Sequence, residues 1–170
     1  IKPVIIIPSR LNSTRLPRKA LEIINGKPMI WHVWSNAIKA DIAPVIVATD
    51  SNEIKDVIIQ NGGNAILTSK NHKTGTDRIY EAFNLLKRTD VNFIMNVQGD
   101  EPDIDVNDIK NLDARMKSNN SKIGTLAAKI HDDNMYENKN IVKVKVKESF
   151  KDNAFPFAEN FMRNIKDKNL

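Results

Sequence analysis

A three-layer α/β architecture, a mostly parallel sheet between helices, is what this sequence predicts, and three observations carry the prediction. Short β-branched or apolar runs recur at 4–7, 45–49, 65–68, 93–97 and 123–128. Helical apolar patterns separate them. The first run, Val4-Ile5-Ile6-Ile7, is continuously apolar, as a strand buried on both faces of a parallel sheet must be. Helical crossovers between parallel neighbours are the packing solution to such alternation.

Each element has its own signal. Pro3 and Pro8 bound the first run. Pro28 stands where a helix begins, and Met29, Ile30, Val33, Trp34, Ala37 and Ile38 follow at spacings of three and four. Asp50 and Glu53 have the spacing of a capping box ahead of Ile54, Val57 and Ile58, and Gly62-Gly63 stops that helix. Ile79, Ala82, Phe83 and Leu86 make one stripe over 77–87, and Ile109, Leu112 and Met116 another over 106–117. Beyond 130 the character changes. Residues 132–139 read as a loop, and 141–147 alternate with period two, a strand whose wet face carries Lys143, Lys145 and Lys147. Phe155, Phe157, Ala158, Phe161 and Met162 read as a helix stripe, and together with Phe150 they predict bare apolar surface and self-association. The expected organisation is an α/β core over 1–130 and a different, incomplete portion over 131–170.

Composition narrows the function. The 170 residues carry 26 Lys plus Arg against 21 Asp plus Glu, a net charge of +5, and 41% are hydrophobic. A chain of this size buries roughly 70% of its unfolded surface, enough for an ordinary core. It has no cysteine, which excludes a disulfide scaffold, a cysteine zinc site and a thiol nucleophile. No apolar stretch approaches the roughly 20 residues of a membrane span, so a soluble cytoplasmic protein with no membrane partner is expected. Aromatics are 6% and form no basic stripe, so the expected partner is a compact anion and not a nucleic acid.

Three loops carry chemistry. Residues 8–19 follow the first strand and hold Arg10, Arg15, Arg18 and Lys19 with Ser9, Ser13 and Thr14. Guanidinium forks, a lysine point charge and free amides can wrap a phosphate chain. A solvated basic loop is the plain structural alternative, but the carboxyl end of a strand is where such sheets bind ligands. Neither Gly-x-x-x-x-Gly-Lys-Ser/Thr nor Gly-x-Gly-x-x-Gly is matched. Asn96-Val97-Gln98-Gly99-Asp100-Glu101-Pro102 places a carboxylate after another strand, suited to Mg²⁺ shared with phosphate oxygens, or equally to a Gly-Asp turn without ligand. In Lys73-Thr74-Gly75-Thr76-Asp77-Arg78, Thr76 is placed to cap a helix. Arg78 then opposes the helix dipole, which points to a ligand unless it reaches Glu81 instead. His32, His72 and His131 lack metal-ligand spacing, and His32 reads as a packed residue.

Taken in order, PSRLNSTRLPRKAL at 8–21, INGKPMIWHV at 24–33, VATD at 47–50, TGTDR at 74–78 and NVQGDEP at 96–102 closely resemble the 3-deoxy-manno-octulosonate (Kdo) cytidylyltransferases. The likeness runs from about residue 3 to about residue 146. It implies the nucleotide-diphospho-sugar transferase fold, with a mixed, mostly parallel sheet, and a nucleotidyltransferase that moves CMP from CTP to Kdo for lipopolysaccharide synthesis. By this resemblance Arg10, Ser13, Arg15 and Lys19 cradle the CTP phosphates, Arg78 and Gln98 define the nucleotide pocket, and Asp100 binds Mg²⁺. Lys19 and Asp100 become the catalytic pair. No protein nucleophile is required.

Related enzymes for sialic acid open instead with a Gly-Ser-Lys-Gly loop, where this chain has Asn12-Ser13-Thr14-Arg15. The family's later segments, which bear a second metal-binding Asp, much of the sugar-acid site and the homodimer contacts, have no counterpart here. The resemblance therefore implies the nucleotide half of a homodimeric enzyme, with a CTP-binding module of little catalytic power as the alternative.

Overall fold

The computed structural model describes residues 2–12, 16–147 and 155–164. The chain divides into two compact units, Ile1–Lys117 and Ser118–Leu170. In chain order the first holds β1 (Pro3–Ser9), a 3-10 turn (Lys19–Leu21), the antiparallel pair β2 (Ile23–Ile24) and β3 (Lys27–Pro28), α1 (Met29–Lys39) and β4 (Val45–Thr49). There follow α2 (Asn52–Gln60), β5 (Asn64–Leu67), α3 (Gly75–Leu86), β6 (Phe93–Asn96) and α4 (Val106–Ser118). The main sheet has the order β5-β4-β1-β6 and is parallel throughout.

The continuous run in β1 is explained by its place in that sheet. All seven of its residues are buried, because both faces are covered and both edges are paired. Period-two alternation sends Ile5 and Ile7 into one core with Ile30 and Val33 of α1, Ile54 and Ile58 of α2 and Ile109 of α4. Val4 and Ile6 enter the other, with Ile79 and Ala82 of α3. These are the three layers. From β1 the chain steps to β4 and β5 with α1 and α2 on one face, then returns by α3 on the other face to β6. The winding thus reverses between β1 and β6, the point at which sheets of this kind open a crevice beyond their carboxyl ends.

Helix starts differ from the spacing rules in an informative way. Ser51 caps α2 by accepting the Ile54 amide, so Asp50 and Glu53 form no box and are released for other partners. Thr74, not Thr76, caps α3; it accepts the Asp77 amide at 3.2 Å and donates to the Asp77 carboxylate at 2.7 Å. Both segments offer two candidate caps one or two residues apart, and the backbone entering from the preceding strand selects between them. β1 begins at Pro3, as expected, but runs on through Pro8 to Ser9.

In the second unit Asp132 caps a short helix, α5 (Asp133–Glu137), in the stretch expected to be a loop. Residues 123–128 form no strand, and Ile123 is 91% exposed. A β-branched run becomes a strand only where a neighbour takes its amides and carbonyls, and among the described residues none pairs with it. The expected helix at 155–162 is instead β8 (Ala158–Met162), antiparallel to β7 (Lys143–Val146). Apolar residues at mixed spacings of one to four do not separate a short helix from a strand, and the alternating β7 supplies the partner that decides.

Lys143 departs from its expected wet face. It is buried, and its ammonium donates to the carbonyls of Asn138 at 2.6 Å and Arg163 at 2.8 Å. Phe157 and Phe161 are 86% and 55% exposed, while Phe150 lies outside the described residues. Among the described residues no helix is long and apolar enough to cross a membrane.

Candidate active site

Beyond the carboxyl ends of β1 and β6 lies a cavity of about 660 Å³. The end of β1 contributes Pro8, Ser9 and Arg10; the 3-10 turn brings Lys19; the segment after β6 adds Gln98, Gly99 and Asp100. The start of α3 closes the wall with His72, Lys73, Thr74, Gly75 and Arg78. A second cavity of about 590 Å³ shares Arg10, His72 and Arg78 and reaches Asp50, Glu53 and Lys70. Cations outnumber anions around the first cavity, as a polyphosphate would require.

Gly99 is what lets the β6 loop approach β1. A Cβ there would stand 2.4 Å from the carbonyl oxygen of Pro8, so only glycine fits without moving backbone. The next residue, Asp100, accepts from Lys19 Nζ through Oδ2 at 3.0 Å, with the two side chains 60% and 38% exposed. Lys19 and Asp100 are 81 residues apart in sequence, and the sheet topology brings them into contact. Asp100 is an accessible hard oxygen donor beside Lys19, an arrangement that fits Mg²⁺ held by one carboxylate together with ligand oxygens. No cluster of three His, Cys, Asp or Glu suited to a metal occurs among the described residues.

Arg78 is 3% exposed, so the charge that opposes the α3 dipole is met by neighbouring groups. Its Nη2 donates to Asp50 Oδ2 at 3.0 Å and its Nη1 to Thr68 Oγ1 at 2.5 Å and to the Ser69 carbonyl at 3.2 Å. Glu81, the neighbour expected from sequence, takes His72 Nε2 and the Ser69 amide instead. Those two hydrogen bonds, with His72 the larger influence, hold the Glu81 carboxyl below its usual range. The sequence reading therefore found Arg78 at the wall but not its partners.

The basic loop sorts into different roles. Arg10 lines both cavities. Arg18, with φ of 59°, is turned away to a bidentate pair with Glu53, 2.5 Å at its shorter contact. The hydrogen bond to Glu53 pushes the Arg18 guanidinium up, and the same bond holds Glu53 down. Ser13 and Arg15 lie outside the described residues. Sequence reasoning missed Asp50, Thr68 and His72 as parts of the site; the signal available for Asp50 was its position directly after a buried strand.

The family model for cytidylyltransferases matches residues 4–168. The chain belongs to that family. This family member is 43% identical over 169 residues to a 3-deoxy-manno-octulosonate cytidylyltransferase of Bartonella bacilliformis, covering 97% of this chain and 65% of the relative. With the corresponding enzyme of Bartonella henselae it shares 45% over 145 residues, 85% of this chain and 60% of the relative.

The solved structure of a CMP:2-keto-3-deoxy-manno-octonic acid synthetase complexed with CTP superposes with a TM-score of 0.81 at 33% identity, covering 99% of this chain and 67% of that one. The nucleotide-diphospho-sugar transferase fold expected from the resemblance is the fold this chain has. The chain spans 60–65% of the length of these two Bartonella relatives.

Proposed function

We propose that the protein transfers CMP from CTP to Kdo and releases pyrophosphate, supplying an activated sugar acid for lipopolysaccharide synthesis. The observation that supports this most is the cation-lined cavity at the ends of β1 and β6, within a chain that superposes over 99% of its length on a synthetase complexed with CTP. Arg10, Lys19 and, from the resemblance, Ser13 and Arg15 hold the phosphates. Arg78 and Gln98 shape the nucleotide pocket. Asp100 holds Mg²⁺, which when bound supplies charge stabilisation to the phosphate oxygens.

The anomeric hydroxyl oxygen of Kdo bonds to the α-phosphorus, the bond from that phosphorus to the bridging oxygen breaks, and the hydroxyl proton passes to solvent. Lys19, beside Asp100, stabilises the charge that grows on the departing pyrophosphate. The reading carries with it a cytoplasmic location and a homodimeric complete enzyme.

The alternative reading is a module that binds CTP but transfers CMP poorly. Calorimetry with CTP and Mg²⁺, run beside pyrophosphate release with Kdo and with neuraminate, separates these outcomes. Release with Kdo supports the transferase, binding alone supports the module, and faster turnover of neuraminate refutes the Kdo assignment.

A further inference from the structure

We propose that Asp50 is a positioning residue for the nucleotide site, tying the start of the basic loop to Arg78. The inference rests on the CTP reading of the cavity. Asp50 directly follows β4, at the carboxyl end of the sheet, and its two carboxylate oxygens serve different segments. Oδ1 accepts the Leu11 amide at 3.0 Å, and Oδ2 accepts Arg78 Nη2 at 3.0 Å. The Asp50 and Arg78 side chains are only 12% and 4% exposed, so solvent cannot replace either bond at little cost.

Three segments therefore meet at one carboxylate: the loop after β1, the end of β4, and the segment between β5 and α3 through the bonds of Arg78 to Thr68 and Ser69. Arg10, the residue before Leu11, lines the same cavity as Arg78. Fixing the Leu11 amide fixes the backbone from which Arg10 extends. The tie holds the phosphate cations in register with the pocket wall before any nucleotide arrives. It is also specific to a carboxylate: an asparagine has one oxygen and one amino group, and both groups that face this position, Leu11 N–H and the Arg78 guanidinium, are donors. The buried guanidinium competes better for the single oxygen, so the loop is released.

Asp50→Asn is the test, with CTP affinity measured by calorimetry and amide exchange followed at Leu11 and, as a folding control, at Ile5 and Ile6. The expected result is CTP binding weakened about tenfold or more and Leu11 exchange accelerated by a similar factor, with the β1 core still protected. Unchanged Leu11 protection with CTP affinity within about twofold of the original would overturn the proposal. If Asp50→Asn does not fold, replacing the Leu11 backbone amide by an ester removes only the loop's donor and keeps the Asp50–Arg78 pair; weakened CTP binding supports the tie and unchanged binding refutes it. An unaltered protein that fails to bind CTP refutes the cytidylyl reading, while Leu11 exchange in Asp50→Asn still decides whether the carboxylate holds the loop.

Discussion

Gly99→Ala is the sharpest test of the site's geometry, because the strain can be worked out. The added methyl would lie 2.4 Å from the Pro8 carbonyl oxygen, against roughly 3.3–3.6 Å for an ordinary carbon–oxygen contact. Pro8 is in the central strand, in register with Ala48 of β4, and cannot give way. The loop after β6 must therefore retreat by about 1 Å, carrying Asp100 with it. The 3.0 Å contact between Lys19 and Asp100 then opens beyond hydrogen-bonding range. A misplacement of about 1 Å at reacting groups costs on the order of 100-fold in rate, equivalent to about 2.7 kcal/mol.

The expected outcome is a fall of that order in the rate of pyrophosphate release, with overpacking lowering stability by about 1–3 kcal/mol. Gly26→Ala is the control: Gly26 has φ of +80° but its Cβ would meet nothing within 4 Å, so stability falls and kinetics do not. Gly99→Ala with unaltered turnover and melting temperature would refute the claim that the close approach to β1 sets the position of Asp100.

Lys19→Ala is expected to weaken CTP binding by about tenfold through one lost charge-assisted contact, whereas Asp100→Asn lowers turnover more than binding; intact binding in the first and intact turnover in the second would make these loops structural. Arg18→Ala should leave CTP binding within about twofold of the original, because its partner is an exposed Glu53 on α2; a large loss in calorimetry would put Arg18 on the phosphates after all. Glu81 has a folded-state pKa below its ordinary 4.5, so its anchoring of the 69–72 segment is fully present above that value and is lost as pH falls through the lowered one. Carbon-detected NMR titration should give a Glu81 midpoint under 4.5 that rises in His72→Phe; a midpoint at or above 4.5 in the unaltered protein contradicts the His72 and Ser69 contacts.

The main sheet and its helices were legible because burial on two faces leaves a mark that chemistry alone can read. Val4 to Ile7 has no polar position to spend, and the stripes of α1, α2 and α3 repeat at the helical period. What the sequence left ambiguous is which of several equivalent groups takes each job. Asp50 and Ser51 both satisfy a cap pattern. The backbone leaving β4 gives the cap to Ser51, and only then does Asp50 become the acceptor for Leu11 and Arg78.

The same competition divides the basic loop. Arg10, Arg18 and Lys19 are chemically alike at the level of a charge run, but a left-handed Arg18 sends one cation outward to Glu53 while its neighbour Lys19 faces Asp100. A residue spacing cannot encode that choice, because it depends on groups 35 and 81 positions away that the sheet topology brings alongside. The second unit shows the converse. Alternation assigns Lys143 to the wet face, yet the hairpin pairing puts its ammonium against two carbonyls, while Phe161, expected to be bare, is exposed on a strand and not on the expected helix. Periodicity identifies a face only when a packed layer stands opposite it. In the first unit such layers exist on both sides of the sheet, and there the buried strand runs and helix stripes read from the sequence are found, although the caps fall on other residues.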